Sequence, residues 1–231
     1  SDMDASQRAV ALDAVHRRTI ELGSIVDRLL LSSRIEAGRI ELYVRDVPLR
    51  EILEDRALAL GAATGRIVEV VVDDDIDTVR GEEAAIATVF EHLIDNAVKY
   101  SPDGGAVRVR ADLGDRVVIT VSDEGIGMDA EQAAHCFDKF WQAEQGDVRR
   151  FGGTGIGLYI VRSLVQSMRG TIGVSSWPGR GTTFEVSLRR ADAGAVERLV
   201  NGATSADERT TPQPSIVREF MRQIGVDSTR E

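Results

Sequence analysis

Four glycines within six positions, residues 152–157, constrain this chain more than any other feature. The stretch reads Phe-Gly-Gly-Thr-Gly-Ile-Gly-Leu and continues with apolar residues to Val161. Glycines leave backbone N–H groups uncovered, so phosphates can lie against them. The apolar run predicts a helix that begins there, and a helix N-terminus attracts anions. We therefore expect a phosphate-binding loop at the start of a helix.

Two common phosphate-binding motifs do not fit this loop. Leu158 stands where the dinucleotide fingerprint G-x-G-x-x-G needs its third glycine, and no Gly-Lys-Ser/Thr follows the loop. Glycine-rich loops also form ordinary turns, so a nucleotide site needs partners elsewhere in the chain. We expect a nucleotide site of a different design.

Composition narrows the classes of function. The 231 residues are 42% hydrophobic, which is enough to bury the core of one main domain with smaller additions. The net charge of -10 argues against a protein that coats nucleic acid, because such a protein is expected to be basic. No apolar run approaches the roughly 18 residues of a membrane span. The single cysteine, Cys136, cannot form an internal disulfide. These features predict a soluble portion in the reducing cytoplasm.

The first part of the chain predicts one long helix. Residues 5–37 contain no proline, and Val15, Leu22 and Leu29 recur seven positions apart, as in a helix of a bundle or coiled coil. Gly38 is expected to end the helix. A single helix cannot bury this stripe, so it needs a partner helix that the chain does not obviously contain.

Helices and strands alternate through the rest of the chain. The hydrophobic pattern predicts strands at 40–44, 67–72, 107–111, 117–121, 170–176 and 182–188, and helices at 48–63, 82–100 and from the glycine loop to 168. Hairpin connections predict an α/β sandwich in which helices cover one face of a mixed sheet.

Two further segments have no such periodicity. Residues 125–152 are expected to form a lid. Residues 191–214 have the composition of a linker, and Ser215 is expected to cap a short helix that either docks on its own domain or binds a partner.

The helix predicted at 82–100 carries three polar side chains on one face. Asn96, Lys99 and Tyr100 follow the spacing i, i+3 and i+4. The Asn96 amide oxygen can bind Mg²⁺, which often bridges phosphate oxygens, and Lys99 can pair with a phosphate. For these residues in isolation, a solvated polar helix face is the simpler interpretation.

Asp123 follows a predicted buried strand and precedes Gly125 and Gly127. A carboxylate in this position can accept a hydrogen bond from the exocyclic amine of adenine while the backbone turns beneath the ring. The alternative is an ordinary β-turn.

Three weaker candidates come later in the chain. Residues 137–140 place aromatic side chains in the lid, Arg149 and Arg150 can reach a γ-phosphate, and Thr182 adds a hydroxyl at a strand start. The alternatives are that the aromatic side chains form a small additional core, that the two arginines are a solvated charge pair, and that Thr182 is an ordinary strand residue. The chain's two lysines, Lys99 and Lys139, both fall within these motifs.

The order and spacing of these motifs resemble the ATP-binding domain of bacterial sensor histidine kinases, a Bergerat-type fold shared with gyrase, Hsp90 and MutL. The resemblance covers about residues 5–190. It matches the N box at 96–100, the first glycine box at 123–127, the F box at 137–140, the second glycine box at 153–157 and the third at 179–183.

The resemblance implies residue roles and domains. Asn96 would hold Mg²⁺, Asp123 would bind the adenine amine, and residues 128–152 would form the ATP lid. The implied ATP-binding residues are Asn96, Lys99, Tyr100, Asp123, Gly125, Gly127, Phe140, Arg149, Arg150, Gly153, Thr154, Gly155, Gly157, Leu158 and Thr182. The implied domains are a partial dimerisation and phosphotransfer helix at 1–45, the catalytic domain at 46–190, and a linker with a short helix at 191–231.

The resemblance also implies an activity. The γ-phosphate of Mg-ATP would pass to a histidine on the dimerisation helix of a homodimer and then to an aspartate of a response regulator. Attachment to a membrane would come only through other parts of a longer protein. Two alternatives stay open: an ATPase or anti-sigma serine kinase of the same fold, and a degenerate kinase that acts as a non-enzymatic interaction module.

Two histidines depart from the family's pattern. The family's phosphoacceptor histidine has an acidic neighbour and a following proline, and His16 has neither. Only 21 residues separate His16 from Gly38, too few for the rest of a first bundle helix, a turn and a second helix. We therefore expect no autophosphorylation of this chain. His92 stands four residues before Asn96, where hydrolysing relatives carry a glutamate and histidine kinases usually an asparagine. Glu91 is roughly 100° around the helix from that position and is expected to point away from the γ-phosphate.

Overall fold

The structure is a computed structural model that describes residues 5–37, 42–142 and 154–191. Five helices lie in these ranges: α1 (Ala5–Glu36), α2 (Leu49–Thr64), α3 (Glu83–Lys99), α4 (Ala130–His135) and α5 (Gly157–Ser167). The strands are β1 (Arg45–Pro48), β2 (Val68–Val72), β3 (Thr78–Gly81), β4 (Val107–Leu113), β5 (Val117–Ser122), β6 (Thr171–Ser176) and β7 (Thr182–Arg190).

The strands form one mixed sheet. Their order is β1-β3-β7-β5-β4-β2, and β6 pairs with the first part of β7. The pair β2 and β4 is parallel, whereas the other pairs are antiparallel. In the register of β5 and β7, Val121 lies opposite Phe184. The end of strand β5 and the start of strand β7 therefore lie side by side, at the same end of these two inner strands.

Helices α2, α3 and α5 pack next to one another against the sheet. Ile86, Phe90 and Leu93 of α3 are fully buried, while in β4 buried Val107 and Val109 alternate with exposed arginines. This alternation is typical of a sheet covered on one face. The prediction of an α/β sandwich with a mixed sheet and helices on one face is confirmed.

Helix α1 agrees with the long helix expected at 5–37. Its last turns contact α5, and Leu31 is buried in the core. Val15 and Leu22 of the predicted stripe are 62% and 61% exposed. Among the described helices, none carries an apolar segment long enough to cross a bilayer.

Three local predictions were wrong or incomplete. No strand lies at 42–44, and β1 begins only at Arg45, because Val47 pairs with Val79 of β3 whereas Tyr43 has no partner strand and is 50% exposed. The sequence pattern also missed β3, which is only four residues long. Within the expected lid it missed α4, which has no buried residue and hence no apolar period.

Parts of the expected lid, and the linker and helix expected at 191–231 except for Ala191, lie outside the described residues.

Candidate functional site

A cavity of about 420 Å³ lies where several segments that are distant in the sequence meet. Its walls come mainly from the second half of α3, the loop after β5, the start of α5 and the start of β7, with further residues from α1, the end of α2 and α4. The residues singled out from the sequence that line it are Asn96, Lys99, Tyr100, Asp123, Gly127, Thr154, Gly155, Gly157, Leu158 and Thr182. The structure thus brings the separate candidate motifs together, while their roles in binding stay predictions.

Asp123 is held firmly in the wall of the cavity. It is 9% exposed, and its Oδ1 accepts hydrogen bonds from the backbone N–H of Gly125 at 2.8 Å and of Thr182 at 3.3 Å. Burial raises the pKa of Asp123, and these two bonds and the neighbouring Ser101 hydroxyl oppose that shift. The carboxylate therefore has a fixed orientation before any ligand arrives.

The two glycines after Asp123 serve close packing of the backbone. A Cβ at Gly125 would overlap the Tyr100 carbonyl oxygen, and a Cβ at Gly127, whose φ is 64°, would overlap the Trp177 carbonyl oxygen. Between them, the N–H of Ile126 donates to the Tyr100 carbonyl at 3.0 Å. This loop is thereby fixed to the end of α3. Gly125 stands beside the cavity without lining it.

The polar face of α3 is partly buried, which argues against a purely solvated face. Asn96, Lys99 and Tyr100 are all intermediate in exposure, and the Lys99 Nζ lies 5.1 Å from the centre of the Tyr100 ring. Burial lowers the pKa of Lys99, with Asp95 opposing, and raises the pKa of Tyr100. Both shifts reflect a site that disfavours uncompensated charge.

His92 lies one turn before Asn96 and is neutral at physiological pH. Its Nδ1 is 2.9 Å from the Thr88 carbonyl oxygen, and because a carbonyl only accepts, Nδ1 carries the proton. Nε2 is buried and has no hydrogen-bond partner within the described part of the chain. Burial first, and then the charge of Arg28, lower the pKa of His92 to about 4. A Cβ at Gly157 would lie 3.1 Å from the imidazole Cδ2, so the ring packs against the start of α5.

The glycine loop runs into α5, whose N-terminus has no side-chain cap. The first backbone N–H groups of such a helix have no partner in the helix itself. Gly155 has a φ of 66° and accepts a hydrogen bond from the N–H of Phe140 at 2.9 Å. The Thr154 hydroxyl is buried with no hydrogen-bond partner among the described residues.

Several predicted residues are not in the cavity wall. Phe140 is 58% exposed and has a positive φ of 64°, and its backbone N–H donates to the Gly155 carbonyl. Lys139 instead pairs with Glu36 of α1 at 2.7 Å. Arg149, Arg150 and Gly153 lie outside the described residues.

Sequence reasoning missed an arginine and part of the apolar wall. Arg28 of α1 lines the cavity although it lies in the predicted bundle helix. The apolar residues missed are Leu60, Ala63, Ile126, Met128, Cys136, Trp141 and Phe184. The position of Met128 directly after the glycines was a usable signal, whereas nothing in the pattern around Arg28 indicates a ligand.

A divalent ion at this site would depend on the ligand that it accompanies. No group of three His, Cys, Asp or Glu side chains converges on a metal position within residues 5–37, 42–142 and 154–191. The Asn96 amide is a suitable oxygen donor in the cavity wall. One protein oxygen with phosphate and water ligands is a mode typical of Mg²⁺, so the residues fit that ion.

Comparisons with known proteins agree with this fold. Residues 81–192 match the family described as Histidine kinase-, DNA gyrase B-, and HSP90-like ATPase. Sensor protein DivL of Caulobacter vibrioides is 32% identical over 180 residues, which are 76% of this chain and 22% of that protein. Sensor protein GacS of Pseudomonas syringae pv. syringae is 33% identical over 188 residues, 77% of this chain and 21% of that protein. The chain thus spans about a fifth of the length of these relatives.

A crystal structure of full-length ShkA in complex with AMPPNP is also similar. It covers 84% of this chain and 41% of that chain, with a TM-score of 0.70 and 26% identity. Residues 81–192 therefore belong to the histidine kinase-, DNA gyrase B- and HSP90-like ATPases and are a catalytic domain of the sensor histidine kinase type.

Proposed function

We propose that the cavity binds Mg-ATP and that this chain is the ATP-binding catalytic portion of a bacterial sensor histidine kinase. The γ-phosphate would pass to a histidine of the dimerisation helix and then to an aspartate of a response regulator. One observation carries the proposal: the fixed Asp123 carboxylate, the Asn96 face of α3 and the uncapped start of α5 are all walls of the same cavity.

Each end of the cavity suits one end of the nucleotide. Asp123 would accept from the adenine amine beside Gly125, Gly127 and Thr182, whereas the residues from Gly153 to Leu158 would receive the phosphates. Lys99 and Tyr100 would lie along the sugar and phosphates. Mg²⁺, when bound at Asn96, would neutralise phosphate charge. Phe140, Arg149 and Arg150 would belong to the lid.

The proposed division of the chain is a partial dimerisation helix at 1–45, the catalytic domain at 46–190, and a linker with a short helix at 191–231. The exposed apolar side chains of α1, such as Val15 and Leu22, support a missing partner helix, which in a homodimer would carry the phosphoacceptor. We propose that this chain does not phosphorylate His16. The domain would work in the cytoplasm, with any membrane attachment through other parts of a longer protein.

Calorimetric titration with ATP, with and without Mg²⁺, tests the site. Asp123→Asn should weaken ATP binding by about tenfold and reduce the preference for ATP over GTP, because the amide presents a donor to the adenine amine. Asn96→Ala should reduce the gain in affinity that Mg²⁺ gives. Asp115→Asn is the matched control, because Asp115 is exposed in the turn between β4 and β5. Absence of ATP binding in the wild type, or equal affinities for Asp123→Asn and Asp115→Asn, would overturn the proposal.

A further inference from the structure

Helix α1 contributes one side chain to the cavity of the catalytic domain. Arg28 lines the cavity together with Glu91 and His92 of α3, and its exposure is intermediate. Leu31, about one helical turn further along α1, is 2% exposed and packs in the domain core. The position of Arg28 therefore follows from the packing of α1 on the domain.

Arg28 shares the cavity wall with His92, which faces the start of α5. The charge of Arg28 acts on Glu91, His92 and Lys99, and the His92 ring contacts the start of α5 at Gly157. The opposite end of this part of α3 is fixed to the loop that follows Asp123. From His92 to Tyr100 the helix rises about 12 Å. A nucleotide with its base at Asp123 would thus extend its phosphates toward Arg28.

The charges around Arg28 leave room for an anion. Two carboxylates of α3, Glu91 and Asp95, line the cavity with Arg28, but Glu91 forms its ion pair with Arg56 of α2 at 3.8 Å. Within the described residues Arg28 itself makes no hydrogen bond or ion pair at contact distance. Arg28 and Lys99 are cations that line the same cavity, and the charge of Arg28 lowers the pKa of Lys99, although Asp95 opposes this shift. An anion between them would add to this compensation, and a guanidinium binds phosphate oxygens through paired N–H groups.

We propose that Arg28 binds the terminal phosphate of the nucleoside triphosphate and thereby clamps α1 to the catalytic domain. The clamp rests on the proposed function, because it needs a triphosphate in this cavity. ADP lacks the terminal phosphate and leaves the clamp open. The position of the bundle helix relative to the domain then depends on which nucleotide is bound.

Affinities for Mg-AMPPNP and Mg-ADP, measured by calorimetry on the full chain, test this inference. Arg28→Ala should weaken AMPPNP binding by about tenfold and ADP binding far less. Arg28→Lys, which keeps the charge but loses the paired donors, should fall between. Arg34→Ala is the matched control, because Arg34 is an exposed arginine of the same helix outside the cavity.

Hydrogen exchange gives a second measurement that a merely structural role would not change. In the wild type, AMPPNP should slow exchange of the backbone amides around Arg28 more than ADP does, and Arg28→Ala should abolish this difference. If the wild type binds both nucleotides but Arg28→Ala and Arg34→Ala bind AMPPNP equally, the role of Arg28 is refuted and the ATP site stands. If the wild type binds neither nucleotide, both proposals fail.

Discussion

Replacement of His92 by asparagine should remove much of the acid sensitivity of this fold. In the folded chain the pKa of His92 is about 4 instead of 6.5, because its ring is buried and Arg28 is near. The unfolded chain therefore takes up the proton first as the pH falls. The stability that the neutral imidazole gives is complete above pH 6.5 and is lost as the pH falls toward 4.

The size of the effect follows from the shift. Lowering the pKa from 6.5 to about 4 corresponds to about 3 kcal/mol once the imidazole is protonated in both states. At about pH 5 the loss has already reached about 2 kcal/mol. This is a large part of the stability of a typical domain, about 5 to 15 kcal/mol.

Urea unfolding between about pH 7.5 and pH 5 measures this loss. The wild type should lose about 2 kcal/mol more over this range than His92→Asn, whatever the stability of the variant at neutral pH. His135→Asn serves as the control, because His135 is an exposed residue of α4 that contacts Asp138. If the wild type and His92→Asn lose stability in parallel, the buried neutral imidazole is not the source of acid sensitivity.

Two further predictions concern the cavity wall. Gly127→Ala should lower the free energy of unfolding in urea by at least about 2 kcal/mol, because the new Cβ meets the Trp177 carbonyl and a φ of 64° is strained for alanine. The control is Gly173→Ala in β6, where a Cβ has open space. Equal losses of stability in the two variants would contradict the packing. Burial raises the pKa of Cys136 to about 12, so at about pH 8 it should hold about a thousandfold less thiolate than an ordinary thiol. It should therefore react with a thiol reagent only after the chain unfolds. Rapid labelling of the native chain would contradict this.

The sequence predicted best the elements whose burial is periodic. Helix α3 was expected at 82–100 and is found at Glu83–Lys99, because Ile86, Phe90 and Leu93 repeat on one fully buried face. Strand β5 and the position of Asp123 directly after it follow from an equally regular alternation of buried residues. The choice of Asn96, Asp123 and the glycine motifs as one site depended on their order and spacing.

Features that depend on contacts between distant segments could not be predicted in this way. Helix α4 is fixed by a capping box between Asp129 and Gln132 and buries no side chain, so it leaves no hydrophobic period. Arg28 reaches the cavity only because α1 packs on α5. The protonation of His92 likewise depends on the Thr88 carbonyl and on burial, neither of which a spacing reveals.

The same neighbours bear on whether this site would hydrolyse ATP by itself. A hydrolysing enzyme needs a base that can reach the attacking water. Glu91 lines the cavity, but its carboxylate is paired with Arg56. His92 has Nδ1–H committed to the Thr88 carbonyl, and its Nε2 is buried and only weakly basic. The ion pair that draws Glu91 toward Arg56 and the weak basicity of His92 favour the proposed transfer to an external histidine over an ATPase, although burial raises the pKa of Glu91. ATP turnover that Glu91→Gln or His92→Asn abolishes would reverse this preference.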